Sequence, residues 1–152
     1  MKLNNGTQPY WREEDILELE KVDSFAGMLP VAFRVLDRMP RPIAMVCGPM
    51  TTGGTGSVLK NMLRFNEAIM LLQAQGIQVF DQMPYENPME RIKATLVSKE
   101  YARGILDDFY LPVFERGYIS KFYFLSGWES SIGATWEHEQ ALRLGVEIEY
   151  LN

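Results

Sequence analysis

The sequence is short of several things, and each shortage narrows what the chain can be. Cysteine occurs once, at Cys47, so an intrachain disulfide and a thiolate metal cluster are both out of reach. Histidine also occurs once, at His138, and one imidazole with no accompanying ligand spacing builds no metal site. No stretch approaches the roughly eighteen apolar residues that mark a transmembrane helix, so no membrane partner is expected. The opening, MKLNNGTQPYWREED, lacks the apolar run of a signal peptide. These features together lead us to expect a soluble, cytoplasmic protein. The lysines and arginines are scattered, with no basic stripe interleaved with aromatics, so nucleic acid is not an expected partner. Internal repeats and low-complexity tracts are lacking too.

What is present suits one core in a chain of 152 residues: nine methionines and eighteen aromatics. The net charge of −5 works against a phosphorylated ligand unless its site is locally positive.

Residues 1–41 read as a helical extension. EEDILELEKV sets Ile16, Leu19 and Val22 on one helical face, with acids at the start where the helix dipole favours them. PVAFRVLDRM carries Pro30 in its first turn, and the PRP at 40–42 breaks the chain. From residue 42 to 152, strand and helix signals alternate. IAMVC (43–47), IQVF (77–80), ISKFYFL (119–125) and VEIEYL (146–151) read as strands. VLKNMLRFNEAIMLLQAQG reads as a helix whose apolar side is Leu59, Met62, Leu63, Ala68, Leu71 and Leu72, ended by Gly76. Residues 81–97, with Pro84 and Pro88, read as a loop with one helical turn. Residues 98–117 read as helical at least to Leu111, where Pro112 intervenes. The alternation implies an α/β domain with a parallel sheet and helices on both faces. Ligands of such sheets bind beyond the carboxyl ends of the strands, where strand order reverses. The loops after the first and third strands are therefore the candidates, and they are expected to face each other.

The first loop, GPMTTGGTGS, nearly fits the phosphate-binding pattern G-x-x-x-x-G-K-[ST], but Gly54 stands at the lysine position. A nucleoside triphosphatase is thereby disfavoured, while backbone N–H groups near a helix start still suit a single phosphate. A plain connecting loop explains it equally well. The second loop leads into SGWESSIGATWEHEQALRLG. With a helix starting near Gly133, the residues sharing a face with Glu137 are Gly133, Ala134, Ala141 and Leu144, all small or apolar. Glu137 has no Lys or Arg at i+3 or i+4. A first-turn acid suited to the dipole explains its charge but not its face. The dipole lowers its pKa while burial raises it, and an ionised carboxylate is expected at neutral pH. Such a group suits attack on an oxocarbenium-like sugar carbon. Asp107 and Asp108, in LDDF near the end of a helix, are candidates for a second acid or else ordinary surface acids. Ser130 and Ser131 either cap the helix or, with the N–H of Gly133 or Ala134, hold an anion. His138 reads as core or rim, and Trp128 and Trp136 as core or as stacking surfaces for a planar base.

The strand followed by Gly48, Pro49 and Met50, the helix containing RFNEA, and FLSGWESSIGATWEHEQALRLGVEIEYL together resemble the nucleoside 2-deoxyribosyltransferase-like superfamily, in its small phage and bacterial branch. The pattern G-W-E-x-S-x-G-A-x-x-E is matched by Gly127, Trp128, Glu129, Ser131, Gly133, Ala134 and Glu137. The resemblance spans residues 42–152. It implies a flavodoxin-like, doubly wound parallel sheet of four to five strands. It also implies cleavage of the N-glycosidic bond of 2′-deoxynucleosides, without metal or organic cofactor. Glu137 would be the nucleophile on C1′, and Asp108, or less directly Asp107, the assisting acid. Gly48, Pro49, Met50, Gly53, Gly54, Gly56 and Ser130 would line the substrate and phosphate site with the motif residues. Members acting on free nucleosides tend to carry aspartate six residues before the glutamate, whereas the 5′-monophosphate N-hydrolases carry serine. Ser131 thus favours a deoxynucleoside 5′-monophosphate, to which a hydroxyl at a helix start is attractive and a carboxylate is not. The resemblance further implies a homodimer or larger homo-oligomer. Two alternatives stand beside this reading: a nucleotide-binding or regulatory protein without turnover, and cleavage of another ribosyl bond such as that of NAD.

Overall fold

The computed structural model describes residues 1–96 and 101–152. These residues group into two compact units, Met1–Met39 with Gln82–Tyr118, and Pro40–Asp81 with Ile119–Asn152. The first boundary falls beside the PRP break. Residues 82–118, which the strand–helix alternation had assigned to the domain beginning at 42, group with the N-terminal residues instead.

In the first unit, helices α1 (Glu13–Lys21) and α2 (Leu29–Arg38) form where the sequence periodicity places them. The buried face of α1 differs from the expected one: Asp15 and Leu19 are inside, and Ile16 is only half-buried. Asp15 is tolerated there because Arg34 and Arg38 of α2 both donate to its carboxylate, as does the Arg12 N–H. Burial alone would raise its pKa, but those hydrogen bonds outweigh burial and hold it below the ordinary 3.8. Met28, Val31, Ala32, Val35 and Leu36 supply the apolar side.

Between 81 and 97 the chain forms a 3-10 turn (Met83–Tyr85) and a full helix, Glu86–Lys93, where the sequence suggested a single helical turn. Pro88 stands third in that helix, where the backbone N–H groups have no intrahelical acceptor, so its missing N–H costs nothing. The start of the helix expected from residue 98 lies outside the described residues as far as Glu100. From Tyr101 to Gly104 the chain is α-helical, from Ile105 to Tyr110 it is a π-helix, and from Leu111 to Glu115 it is α-helical again. Pro112 does not stop it, because the wider π turn shifts the hydrogen-bond ladder just before the proline.

The second unit is a four-stranded, all-parallel sheet of order β2-β1-β3-β4. Its strands are β1 (Ile43–Cys47), β2 (Gln78–Val79), β3 (Ile119–Phe124) and β4 (Glu147–Tyr150). Helix α3 (Val58–Ala74) links β1 to β2, and the helix Ile132–Leu144 links β3 to β4; counting along the chain the latter is α7, after α4 (Glu86–Lys93), α5 (Tyr101–Gly104) and α6 (Leu111–Glu115). Every residue of β1 is buried, as a central parallel strand requires. The path β1 to β2 runs one way across the sheet and β3 to β4 the other. Right-handed connections therefore put α3 and α7 on opposite faces. This is a flavodoxin-like α/β arrangement, and its strand order reverses between β1 and β3.

Helix α3 corrects one expectation. Its buried residues are Asn61, Phe65, Ile69 and Leu72, while Leu59, Leu63 and Leu71 are exposed. Leu72 is buried as expected and Met62 and Ala68 are half-buried; the helix is apolar on two sides, and the sequence pattern mixed the two. Among the described residues no helix is long and apolar enough to cross a membrane.

Candidate functional site

The loops after β1 and β3 meet, as their shared place at the strand-order reversal requires. The Gly54 N–H donates to Ser130 Oγ at 2.7 Å, and that hydroxyl donates to the Gly127 carbonyl at 2.6 Å. The Ile132 N–H donates to Thr52 Oγ1 at 3.1 Å. Gly53 lies so close to Ser130 that a Cβ there would sit 2.2 Å from the Ser130 carbonyl oxygen. Its φ of +68° independently favours glycine. Asn61 of α3 ties the first loop from beneath. Its Nδ2 donates to the carbonyls of Met50 and Gly53, and its Oδ1 accepts from the Thr55 N–H and hydroxyl. Arg64 reaches across to the second loop, donating to the Ser126 carbonyl at 2.7 Å.

Glycine and hydroxyl content made the first loop a phosphate candidate, yet its amides are largely engaged. The N–H groups of Gly54, Thr55, Gly56 and Ser57 donate to Ser130, Asn61, the Gly53 carbonyl and Thr55 respectively. Gly48 and Pro49 are buried and Met50 half-buried, so only the tip of this loop, with Gly54 and Gly56, faces solvent.

Ser131 is the N-cap of α7, accepting from the Ala134 N–H at 3.2 Å. The first-turn amides of Ile132, Ala134 and Thr135 all have acceptors. The Gly133 N–H is the one left without a partner among the described residues, and the Ser131 hydroxyl keeps its proton free to donate. Trp128 is half-buried and stacks on His138, with ring centroids 4.3 Å apart and planes 16° from parallel. His138 Nε2 lies 2.7 Å from the Tyr150 hydroxyl. His138 is thus a rim residue of an aromatic cluster that includes Phe124. Trp136 is core, and Glu129 is exposed.

Glu137 is 7% exposed, on the face it shares with the fully buried Ala134 and Ala141. Its carboxylate accepts a hydrogen bond from the thiol of Cys47, the last residue of β1. Among the described residues no Lys, Arg or His forms an ion pair with it. Burial raises its pKa to about 8, against which the Cys47 hydrogen bond pulls only weakly. The carboxyl is therefore mostly protonated at neutral pH, contrary to the ionised group expected from the helix dipole. Glu137 sits in the second turn of α7, past the amides where the dipole acts most strongly. Cys47 in turn is pushed well above the ordinary thiol range, first by burial and then by the Glu137 charge.

Asp107 and Asp108 belong to the first unit, and Glu137 with both loops to the second. They lie within the π-helix, not at a helix end. Asp107 accepts from Arg103 at 2.9 Å, and Asp108 is exposed. Sequence reasoning missed Cys47, Thr52, Asn61 and Arg64. A signal for Asn61 was present: it is the one polar residue in line with Phe65 and Ile69 at helical spacing, four residues after the Ser57 cap.

Compared with known proteins, the chain matches no protein-family model, no curated protein sequence and no solved structure.

Proposed function

We propose that the protein cleaves the N-glycosidic bond of a 2′-deoxynucleoside 5′-monophosphate, with Glu137 attacking C1′ of the sugar. The observation that carries this reading is a carboxyl buried at the carboxyl end of the central strands, with no cation paired to it among the described residues. A buried acid with no counter-charge is costly to fold around, and such groups concentrate where chemistry needs them. Its anion, once formed in a dry site, is strongly stabilised by positive charge developing on a sugar carbon. Departure of the base leaves a glycosyl–enzyme ester, which water or a second base resolves.

The Ser131 hydroxyl and the free Gly133 N–H are the donors proposed for the 5′-phosphate. Arg64, held beside the second loop, supplies the local positive charge that a chain of net charge −5 needs to draw in an anion. The loop 48–56 closes the sugar site, and Trp128 offers a face on which a base can stack. A soluble, cytoplasmic setting fits this chemistry.

The test is a panel of deoxynucleoside monophosphates, free deoxynucleosides and NAD, with released base followed by chromatography, for the wild-type chain and Glu137→Gln. Base release from the monophosphates that disappears in Glu137→Gln supports the reading. Release from NAD alone overturns the substrate, and binding without any release identifies a nucleotide-binding protein instead.

A further inference from the structure

We propose that the outer face of α3 is the surface on which a second copy of this chain docks, antiparallel and related by a two-fold axis. Leu59, Leu63 and Met70 are 69%, 63% and 50% exposed, on the side of the helix opposite its buried residues Phe65, Ile69 and Leu72. With Asn66 between them, whose Nδ2 contacts Met70 Sδ at 3.7 Å, they recur at steps of four, three and four residues. That is the spacing of a helix–helix seam, in which each such residue fits against a facing helix. A continuous strip of this kind is unusual on a surface that faces only water.

The charges beside the strip select the occupant. Lys60 follows Leu59 and Glu67 follows Asn66, so both flank the seam on the same side. Both are exposed, and neither has an ion-pair partner among the described residues. When α3 meets its own copy running the opposite way, Leu59 faces Met70 of the second copy and Leu63 faces Asn66. Lys60 then lies opposite Glu67, and symmetry repeats the pair. In a parallel pairing Lys60 and Glu67 would face Thr55 and Met62 of the second copy instead, and no opposite charges would meet. The strip is therefore complementary to itself in one orientation, which a partner of different sequence does not require. This surface is independent of the chemistry proposed for Glu137.

Sedimentation of the full chain at low salt, over a range of concentrations, tests the proposal. The wild type is expected to form a dimer, and Leu63→Glu to be monomeric with an unchanged circular dichroism spectrum. Lys60→Glu or Glu67→Lys alone sets like charges opposite each other twice, and is expected to raise the dimer Kd about tenfold. The double exchange Lys60→Glu with Glu67→Lys restores opposite charges and is expected to recover most of that loss. A chain monomeric at every concentration overturns the proposal. So does a dimer indifferent to Leu63→Glu, or a double exchange no tighter than the weaker single variant.

Discussion

The thiol of Cys47 hydrogen-bonds the carboxyl of Glu137, joining the last residue of the central strand β1 to the second turn of α7. Burial is the main cause of both shifts, and the contact modifies each: the thiol steadies the carboxylate, and the carboxylate discourages the thiolate. Buried acids near pH 8 are unusual, and this one fixes how the protein responds to pH.

If Glu137 acts as the nucleophile, only its anion reacts. With a pKa of about 8, roughly a tenth is ionised at pH 7, so kcat/KM for base release is expected to rise with pH and level off above 8. Cys47→Ala removes the hydrogen bond that lowers this pKa, and the rising limb is expected to move to higher pH. A profile that falls between pH 6 and 8 would show that the protonated carboxyl is the active form.

Stability has its own pH signature. Glu137 and Glu86 bind protons more tightly in the folded chain, at about 8 and about 7, than at their ordinary 4.5; burial is the main cause for both, with Glu90 adding to it for Glu86. Their favourable contribution is complete below pH 4.5 and is lost as pH climbs through those values. Each steepens the decline by up to about 1.4 kcal/mol per pH unit within its window. Urea midpoints taken from pH 5 to pH 8 are expected to fall, and less steeply in Glu137→Gln. A flat wild-type curve would contradict the burial of these carboxyls.

The loop junction makes a paired prediction. Gly53 and Gly56 share positive φ, at +68° and +80°, but a Cβ on Gly53 strikes the Ser130 backbone whereas one on Gly56 meets open space. Gly56→Ala is expected to cost about 1 kcal/mol from backbone strain alone. Gly53→Ala is expected to cost about 3 kcal/mol and to separate the loops, weakening ligand binding as well. Thermal melts of the two variants measure the difference, and equal losses would mean that the loops part easily.

Asp15 tests the first unit. Replacing it with Asn leaves Arg34 and Arg38 without their shared carboxylate and is expected to cost about 3 kcal/mol. Because its folded pKa lies below 3.8, its contribution is present above that pH and is lost as pH falls further. Acid unfolding of the wild type is therefore expected to lose part of its transition below pH 4 in Asp15→Asn.

The sequence makes some of these elements plain and hides others, for identifiable reasons. IAMVC is short, apolar throughout and bounded by proline and glycine, and β1 has the expected limits. Glu137 lies among small residues at helical spacing, so its burial was legible. The burial of Asp15 was not, since the arginines that offset it lie nineteen and more residues away. Helix α3 carries apolar residues on two sides, and periodicity alone does not say which side a sheet will cover. The helix Glu86–Lys93 was obscured by Pro88, whose position within the first turn decides its effect. The Cys47 contact depends on how β1 and α7 are set together, which no local pattern encodes.

The order of strands also governs how the chain is assembled. β1 pairs with β2 over two residues but with β3 over five, and the β3 partner of Ile43 is Ile119. During synthesis β1 must wait, fully apolar, while the whole segment 82–118 emerges before its main neighbour exists. Long-range parallel pairing of this kind closes slowly and leaves sticky backbone uncovered. Nor is either compact unit an uninterrupted stretch of chain: a cut at residue 82 discards part of both, and removing residues 1–39 leaves the first unit incomplete. Expression at lower temperature, or with chaperones that shield exposed strands, is the practical answer to a sheet that the ribosome finishes last.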